Sequence, residues 1–244
     1  MTRILGIDIG GSGMKAAVVD VASGEIVSDK HRIPTPKPAT PDAMGEVAAQ
    51  LVEHFEWSGP VGVGFPGVIQ DGYVRTAANL HKSWVDIDGD ALFTKACGCD
   101  VVMVNDADAA GLAEVKFGAG ENVRGVVVMA TLGTGIGSAI FVDGRLVPNT
   151  EFGHLMMDGK IAEDRASSRA KDDEDMSYKE WGGELEDFLL EMEKLFWPNL
   201  FILGGGISKS FHKFEEHLSK VRTPVKPAER LNRAGIVGAA LAAA

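Results

Sequence analysis

The stretch "IDIGGSGMKAAVVD" at Ile7–Asp20 has a counterpart in "ATLGTGIGSAIFVD" at Ala130–Asp143. Aligned without gaps, the two share Gly10/Gly133, Ala16/Ala139, Val19/Val142 and Asp20/Asp143, with an apolar run on either side of the glycines. Both describe an apolar strand, a Gly-rich turn and a second strand running back. Glycine is needed where the backbone takes positive φ or approaches a ligand closely, and successive N–H groups in such turns form anion-binding concavities. Either turn alone reads as an ordinary hairpin. The repetition is what constrains the chain: it suits two halves that each open on the same device.

Other apolar runs bounded by turn residues, at Val61–Gly64, Val101–Val104 and Leu200–Leu203, read as buried strands. Between them, Met44, Val47, Leu51, Val52 and Phe55 follow three-and-four spacing, as do Tyr178, Trp181, Leu185, Phe188, Leu189, Met192 and Leu195, so both segments read as helices with a core face. Strands alternating with helices indicate an α/β architecture. A boundary near Asp108 gives domains 1–108 and 109–231, with a small, apolar terminal helix at 232–244 packing back on the first. The charged tract Lys160–Trp181 reads mostly as solvated loop and helix face, and a helical pattern follows "LFILGGGISKS" at Leu200–Ser210.

The formal net charge of −11 argues against broad nucleic-acid or anionic-membrane binding. The opening residues break into Asp and Gly before an apolar region forms, and no run is long enough to span a bilayer, so the cytoplasm is the expected location. The only cysteines, Cys97 and Cys99, lack further ligands at zinc spacing and read as free structural thiols.

Neither Gly-rich turn fits a P-loop or a dinucleotide fingerprint, because both continue as strands rather than opening a helix. What remains, strand, Gly turn and strand with Asp8 in the first copy, matches the phosphate hairpins of the sugar kinase, heat-shock ATPase and actin superfamily. The series "LGIDIGGSGMKAAVVD", "GVGFPGVIQDGYVRTAANLHKSW", "VNDADAAGLAE", "TLGTGIGSAIFVDGRLVPNTEFGH" and "FILGGGIS" resembles the ROK sugar kinases in order and spacing along nearly the whole chain. Within that family, "AANLHKSW" and "KIAEDRASSRA" are most similar to the polyphosphate-dependent glucokinases. The resemblance implies an actin-like ATPase (ribonuclease H-like) fold of two α/β domains closing over the sugar, and a homodimer.

It also implies chemistry. Phosphoryl transfer to a hydroxyl needs a base at that hydroxyl and groups that hold the donor oxygens. Asp106, just past an apolar strand, would be the base for the 6-hydroxyl of glucose, its competing role being to cap the helix from Ala107. Asp108 reads as the structural carboxylate of the motif. Asn79, Asn105, Asp106, Glu151, His154 and Glu163 would form the sugar-binding set. His154 equally suits a structural histidine. The family's downstream zinc cysteines are missing after His154, so no structural zinc is expected. Gly10, Gly11, Ser12, Gly13 and Lys15 would line one donor turn and Thr131, Gly133, Thr134 and Gly135 the other, with Asp8 acting on Mg²⁺ through water. Gly204, Gly205 and Gly206 correspond to the adenosine-side loop, or else to a tight strand-to-helix turn.

The expected activity is formation of glucose 6-phosphate from glucose with inorganic polyphosphate, and ATP, as donors. Lys15, Arg75, Lys82, Arg165 and Arg169 are candidate polyphosphate cations. The alternative is a strictly ATP-dependent ROK hexokinase acting on glucose, mannose or an N-acetylhexosamine. A ROK repressor would place a DNA-binding helix-turn-helix ahead of the first hairpin, where this sequence has only a few residues.

Overall fold

The computed structural model describes residues 2–77 and 80–244, so Asn79 lies outside the described residues. The chain divides into two units, Met1–Ala113 with Asn232–Ala244, and Glu114–Leu231.

Unit 1 begins with strands β1 (Arg3–Gly10) and β2 (Gly13–Asp20), paired antiparallel from Arg3↔Asp20 to Gly10↔Gly13, so that Gly11 and Ser12 form the loop. The short strands β3 (Glu25–Ile26) and β4 (His31–Ile33) both pair with β2. Helix α1 (Pro41–His54) starts with Pro in its first turn, where the missing N–H costs nothing, and buries Met44, Val47, Ala48, Leu51 and Val52 as its spacing predicts. Strand β5 (Val61–Phe65), buried along its whole length, runs parallel to β1. A small hairpin of β6 (Ile69–Gln70) and β7 (Tyr73–Val74) precedes helix α2 (Gly89–Cys97), which Asp88 caps through the Ala91 N–H at 2.9 Å. Strand β8 (Val101–Asn105) lies parallel to β5 and leads into helix α3 (Asp106–Phe117).

Unit 2 repeats the scheme. Strands β9 (Val126–Leu132) and β10 (Ile136–Val142) form the second Gly hairpin, with β11 (Arg145–Val147) beyond β10. After the short pair β12 (Met156–Met157) and β13 (Lys160–Ile161) come helices α4 (Glu163–Ala166), α5 (Ser168–Asp173) and α6 (Tyr178–Phe196). Strands β14 (Leu200–Gly204) and β15 (Val225–Pro227) then add parallel to β9 and β14 respectively. The sheet orders are β3-β2-β1-β5-β8 and β11-β10-β9-β14-β15. The echo between two stretches of sequence is thus an echo of topology: three antiparallel strands, then two parallel ones.

Two segments differ from their sequence reading. The tract Lys160–Trp181 is anchored rather than merely solvated, because Ala162, Ala166, Ser167 and Ala170 are buried and the Trp181 indole N–H reaches the Ala166 and Ser167 carbonyls at 3.1 Å. The residues after Gly205 form 3₁₀ turns, Gly206–Lys213 and Glu215–His217, instead of an α-helix.

The last helix, α7 (Ala234–Ala242), belongs to unit 1 and is buried at Ala234, Ile236, Val237, Gly238, Ala239 and Ala240. A Cβ on Gly62 of β5 would overlap the Ala239 carbonyl, and one on Gly238 would overlap that of Ala109 in α3. Glycine here permits backbone-to-backbone approach, which offsets the propensity cost of Gly238 within a helix. The approach also sets Gly235, in the first turn of α7, against the carboxylate of Asp8.

Candidate active site

In unit 1, Asp8 and Lys15 are cross-strand partners, and the Lys15 ammonium lies 3.8 Å from Asp8 Oδ2. Burial pushes the Asp8 carboxyl above its usual range, while Lys15 and Lys30 pull it back. At the hairpin tip, Arg32 of β4 donates from Nη2 to the Ser12 carbonyl and reaches Ser12 Oγ at 3.4 Å, and its guanidinium fills the space beside Gly13. Gly11 faces open space, and the Gly10 carbonyl accepts from Thr35 Oγ1. Lys30 donates to the Asn232 carbonyl at 3.2 Å. Lys30 and Arg32 are not among the candidates that the sequence motifs suggest. Strand alternation through "DKHRI" would have put both on one side of the chain.

At the end of β8, Asn105 is nearly buried, at 6% exposed. Its side-chain oxygen accepts the N–H groups of Ala107 at 2.8 Å and Asp108 at 3.0 Å, and its amide donates to the Gly67 carbonyl at 3.1 Å. Asn105 therefore caps α3, the duty that competed with catalysis for Asp106. Asp106 opens the helix half-buried, beyond the carboxyl end of a parallel strand, where ligands collect in open α/β sheets. Its Oδ1 also accepts the Ala107 N–H at 2.8 Å. Asp108 is fully buried.

In unit 2 the second Gly turn closes on itself, Gly133 N–H to the Gly135 carbonyl at 3.0 Å, and accepts the Arg169 N–H on Gly133 O at 3.1 Å. Thr131 and Thr134 flank it, half-buried and exposed respectively. Glu163 reaches this turn: its Oε2 accepts the Ile136 N–H at 3.3 Å and fills the space beside Gly135. Its other oxygen stands 3.9 Å from His154 Nε2. Ser138 of β10 ties the preceding segment down, donating to the Thr150 carbonyl at 2.7 Å and accepting the Phe152 N–H at 3.0 Å. That fixes Glu151 ahead of a 3₁₀ turn at Phe152–His154, so Glu151 and His154 fall one turn apart. Burial raises the Glu151 carboxyl above its usual range, His154 opposes this, and Glu163 adds to it. Glu151, His154 and Glu163 thus form one cluster beside the second turn.

Gly204 pairs with Thr131 at the end of β14, and Gly205 takes φ +86 against the backbone of Leu132, a position a side chain would overfill. Gly206 faces open space. Of the candidate polyphosphate cations, Arg165 is committed elsewhere: Glu184 at 2.6 Å, Asp158 at 3.2 Å and Asp187 at 3.4 Å surround its guanidinium. Arg75 pairs with Asp86 at 2.8 Å. Lys82 and Arg169 are exposed, Arg169 lining a groove of about 390 Å³ with Lys160, Glu163 and Asp173. Among the described residues no His, Cys, Asp and Glu side chains form a metal-holding group of three, and no helix is long and apolar enough to cross a membrane. Burial raises the Cys97 thiol to about 12 and also raises Cys99, so neither is activated as a thiolate.

The chain is 50% identical over 97% of its length to a polyphosphate glucokinase of Mycobacterium tuberculosis, 89% of which is covered. Its structure superposes on the inorganic polyphosphate/ATP-glucomannokinase of Arthrobacter sp. strain KM with a TM-score of 0.93, at 48% identity, covering 99% of this chain and 98% of that one. The ROK family glucokinase of Streptomyces griseus, solved with glucose and AMPPNP, superposes with a TM-score of 0.83 at 26% identity, each chain covered to 99%. The fold is accordingly the actin-like ATPase fold of these kinases. Residues 4–174 match the sequence profile of the ROK family, and the chain belongs to that family.

Proposed function

We propose that the protein phosphorylates glucose at its 6-hydroxyl, with inorganic polyphosphate and ATP as phosphoryl donors. The observation that carries the reading is the near full-length likeness to enzymes named for this reaction. In the proposed step, Asp106 accepts the proton of the glucose 6-hydroxyl as O6 forms a bond to the terminal phosphorus. The bridging P–O bond breaks, and the shortened polymer or ADP carries the electron pair away. Asn105, Asp106, Glu151, His154 and Glu163 serve as partners for sugar hydroxyls, as does Asn79. The first donor turn is Gly10, Gly11, Ser12, Gly13 and Lys15. The second is Thr131, Gly133, Thr134 and Gly135, with Gly204, Gly205 and Gly206 on the nucleotide side.

Asp8 is a lone, half-buried carboxylate beside a Gly turn. That suits Mg²⁺, which keeps several waters and takes one or two carboxylates plus substrate phosphates. When bound there, the ion would neutralise charge on the donor oxygens. The proposed enzyme is a cytoplasmic homodimer with the domain division 1–108 and 109–231, the helix at 232–244 packing back on the first domain.

Initial rates with glucose and either long-chain polyphosphate or ATP test the donor assignment, since turnover with ATP alone would make it a strictly ATP-dependent hexokinase. Asp106→Asn should lower kcat by about 10²–10⁴-fold while glucose still binds in calorimetry. Near-normal turnover would remove Asp106 as the base.

A further inference from the structure

A chain of net charge −11 has few cations to spare, yet two of them, Lys15 and Arg32, meet beside the first Gly turn. Asp8, Lys15 and Arg32 are successive partners across β1, β2 and β4, so they stand in one row on one face of the sheet. Like charges directly opposite each other destabilise a sheet, and the single carboxylate of that row, Asp8 at 3.8 Å from Lys15, balances one of the two cations. Arg32 is held at the tip by Ser12, which aims its guanidinium over the turn. Lys30 is anchored to the Asn232 carbonyl, one residue before Arg233. Burial, and then the positive charges of Arg233 and Lys15, push its ammonium below its usual range, and Asp8 opposes this. The carboxylates facing this group are Asp8 and, at 3.7 Å from Arg233, Glu25. The first turn of α7 adds its partial positive charge beside Asp8.

We propose that Lys30, Arg32 and Arg233, continuing from Lys15, form a cationic track beside the first donor turn that binds the internal phosphates of polyphosphate and sets the preference for the polymer over a nucleotide. This rests on the donor reading given above. A polyphosphate chain carries charge on every unit and can lie along successive cations. A nucleotide carries charge only on its short phosphate tail, so cations beyond Lys15 contribute little to its binding. Arginine suits such a role because its fork donates to phosphate oxygens in pairs.

The test compares Lys30→Gln, Arg32→Gln, Arg32→Lys and Arg233→Gln by initial rates with long-chain polyphosphate and with ATP at saturating glucose, and by equilibrium binding of long-chain polyphosphate. The Gln variants should raise the KM for polyphosphate about tenfold or more each, with kcat/KM for ATP altered less than about twofold. Arg32→Lys should recover part of the loss. Unchanged polyphosphate kinetics, or equal losses with both donors, would overturn the track. Wild-type protein that uses ATP but not polyphosphate would refute the donor reading. Polymer binding that the Gln variants weaken would still support the track in that case, and no polymer binding by the wild type would overturn it.

Discussion

Gly235 offers a way to disturb Asp8 without disturbing the fold. A methyl group there would stand 2.7 Å from Asp8 Oδ1 and 2.8 Å from Cγ. Ordinary contact between such atoms begins near 3.5 Å, so the carboxylate must retreat by roughly 0.7 Å. Moving a short side chain off its rotamer costs about 0.5–1.5 kcal/mol, and Ala is favoured over Gly within a helix by about 1 kcal/mol. The two nearly cancel, so Gly235→Ala should keep its folding stability to within about 1 kcal/mol. Chemistry is less forgiving, since a misplacement of about 1 Å can cost about 10²-fold in rate. Expected are a fall in kcat/KM of roughly 10–100-fold and a higher Mg²⁺ concentration at half-maximal rate, measured by coupled assay over a Mg²⁺ titration beside urea denaturation. Gly238→Ala is the control. Its methyl group would strike the Ala109 backbone, which cannot swing away, so it should lose about 3 kcal/mol or more of stability. Wild-type turnover and Mg²⁺ dependence in Gly235→Ala would refute the placement of Asp8 in the donor machinery. Unfolding as severe as that of Gly238→Ala would refute the steric reasoning.

Burial raises the Asp8 carboxyl, so the folded protein holds that proton more tightly than the unfolded chain does, and stability falls as pH rises from the ordinary carboxylate value through the raised one. Asp8→Asn should therefore match or exceed the wild-type Tm at neutral pH, lose that advantage at about pH 4, and be nearly inactive throughout; a lower Tm at neutral pH would contradict this. His154 faces Glu163 at 3.9 Å, and purified protein should contain no stoichiometric zinc by elemental analysis.

Much of this was legible because the informative signals are local. Apolar runs and Gly turns mark the hairpins, and three-and-four spacing marks α1 and α6, with no need of the rest of the chain. The roles of individual polar residues were less so, because partners distant in sequence decide them. Arg165 looks like a free cation in "AEDRAS", but Glu184 and Asp187 arrive from the next long helix to neutralise it. Asn105 reads as a sugar ligand, and its hydrogen bonds add a second duty, the capping of α3, that motif spacing does not reveal. Asn232 and Lys30 are separated by most of the chain, and only the return of the C-terminal segment to unit 1 lets Lys30 donate to the Asn232 carbonyl.

The same backbone device has been finished differently in the two units. At the first turn a guanidinium leans over Ser12 and Gly13; at the second a carboxylate, Glu163, fills the space beside Gly135 and takes the Ile136 N–H. The first turn is thereby electropositive and the second is linked, through Glu163, to His154 and Glu151. A polyanion gains most at the first turn, where Lys15, Lys30 and Arg32 add to the backbone N–H groups. The second turn instead joins the proposed donor loop to the proposed sugar carboxylates by a single side chain. Changing Glu163 to Gln should thus alter both the glucose KM and the donor KM, whereas Arg32→Gln should alter the polyphosphate KM alone. A mutation at Glu163 that moved only the glucose KM would show that this side chain does not link the sugar site to the donor loop.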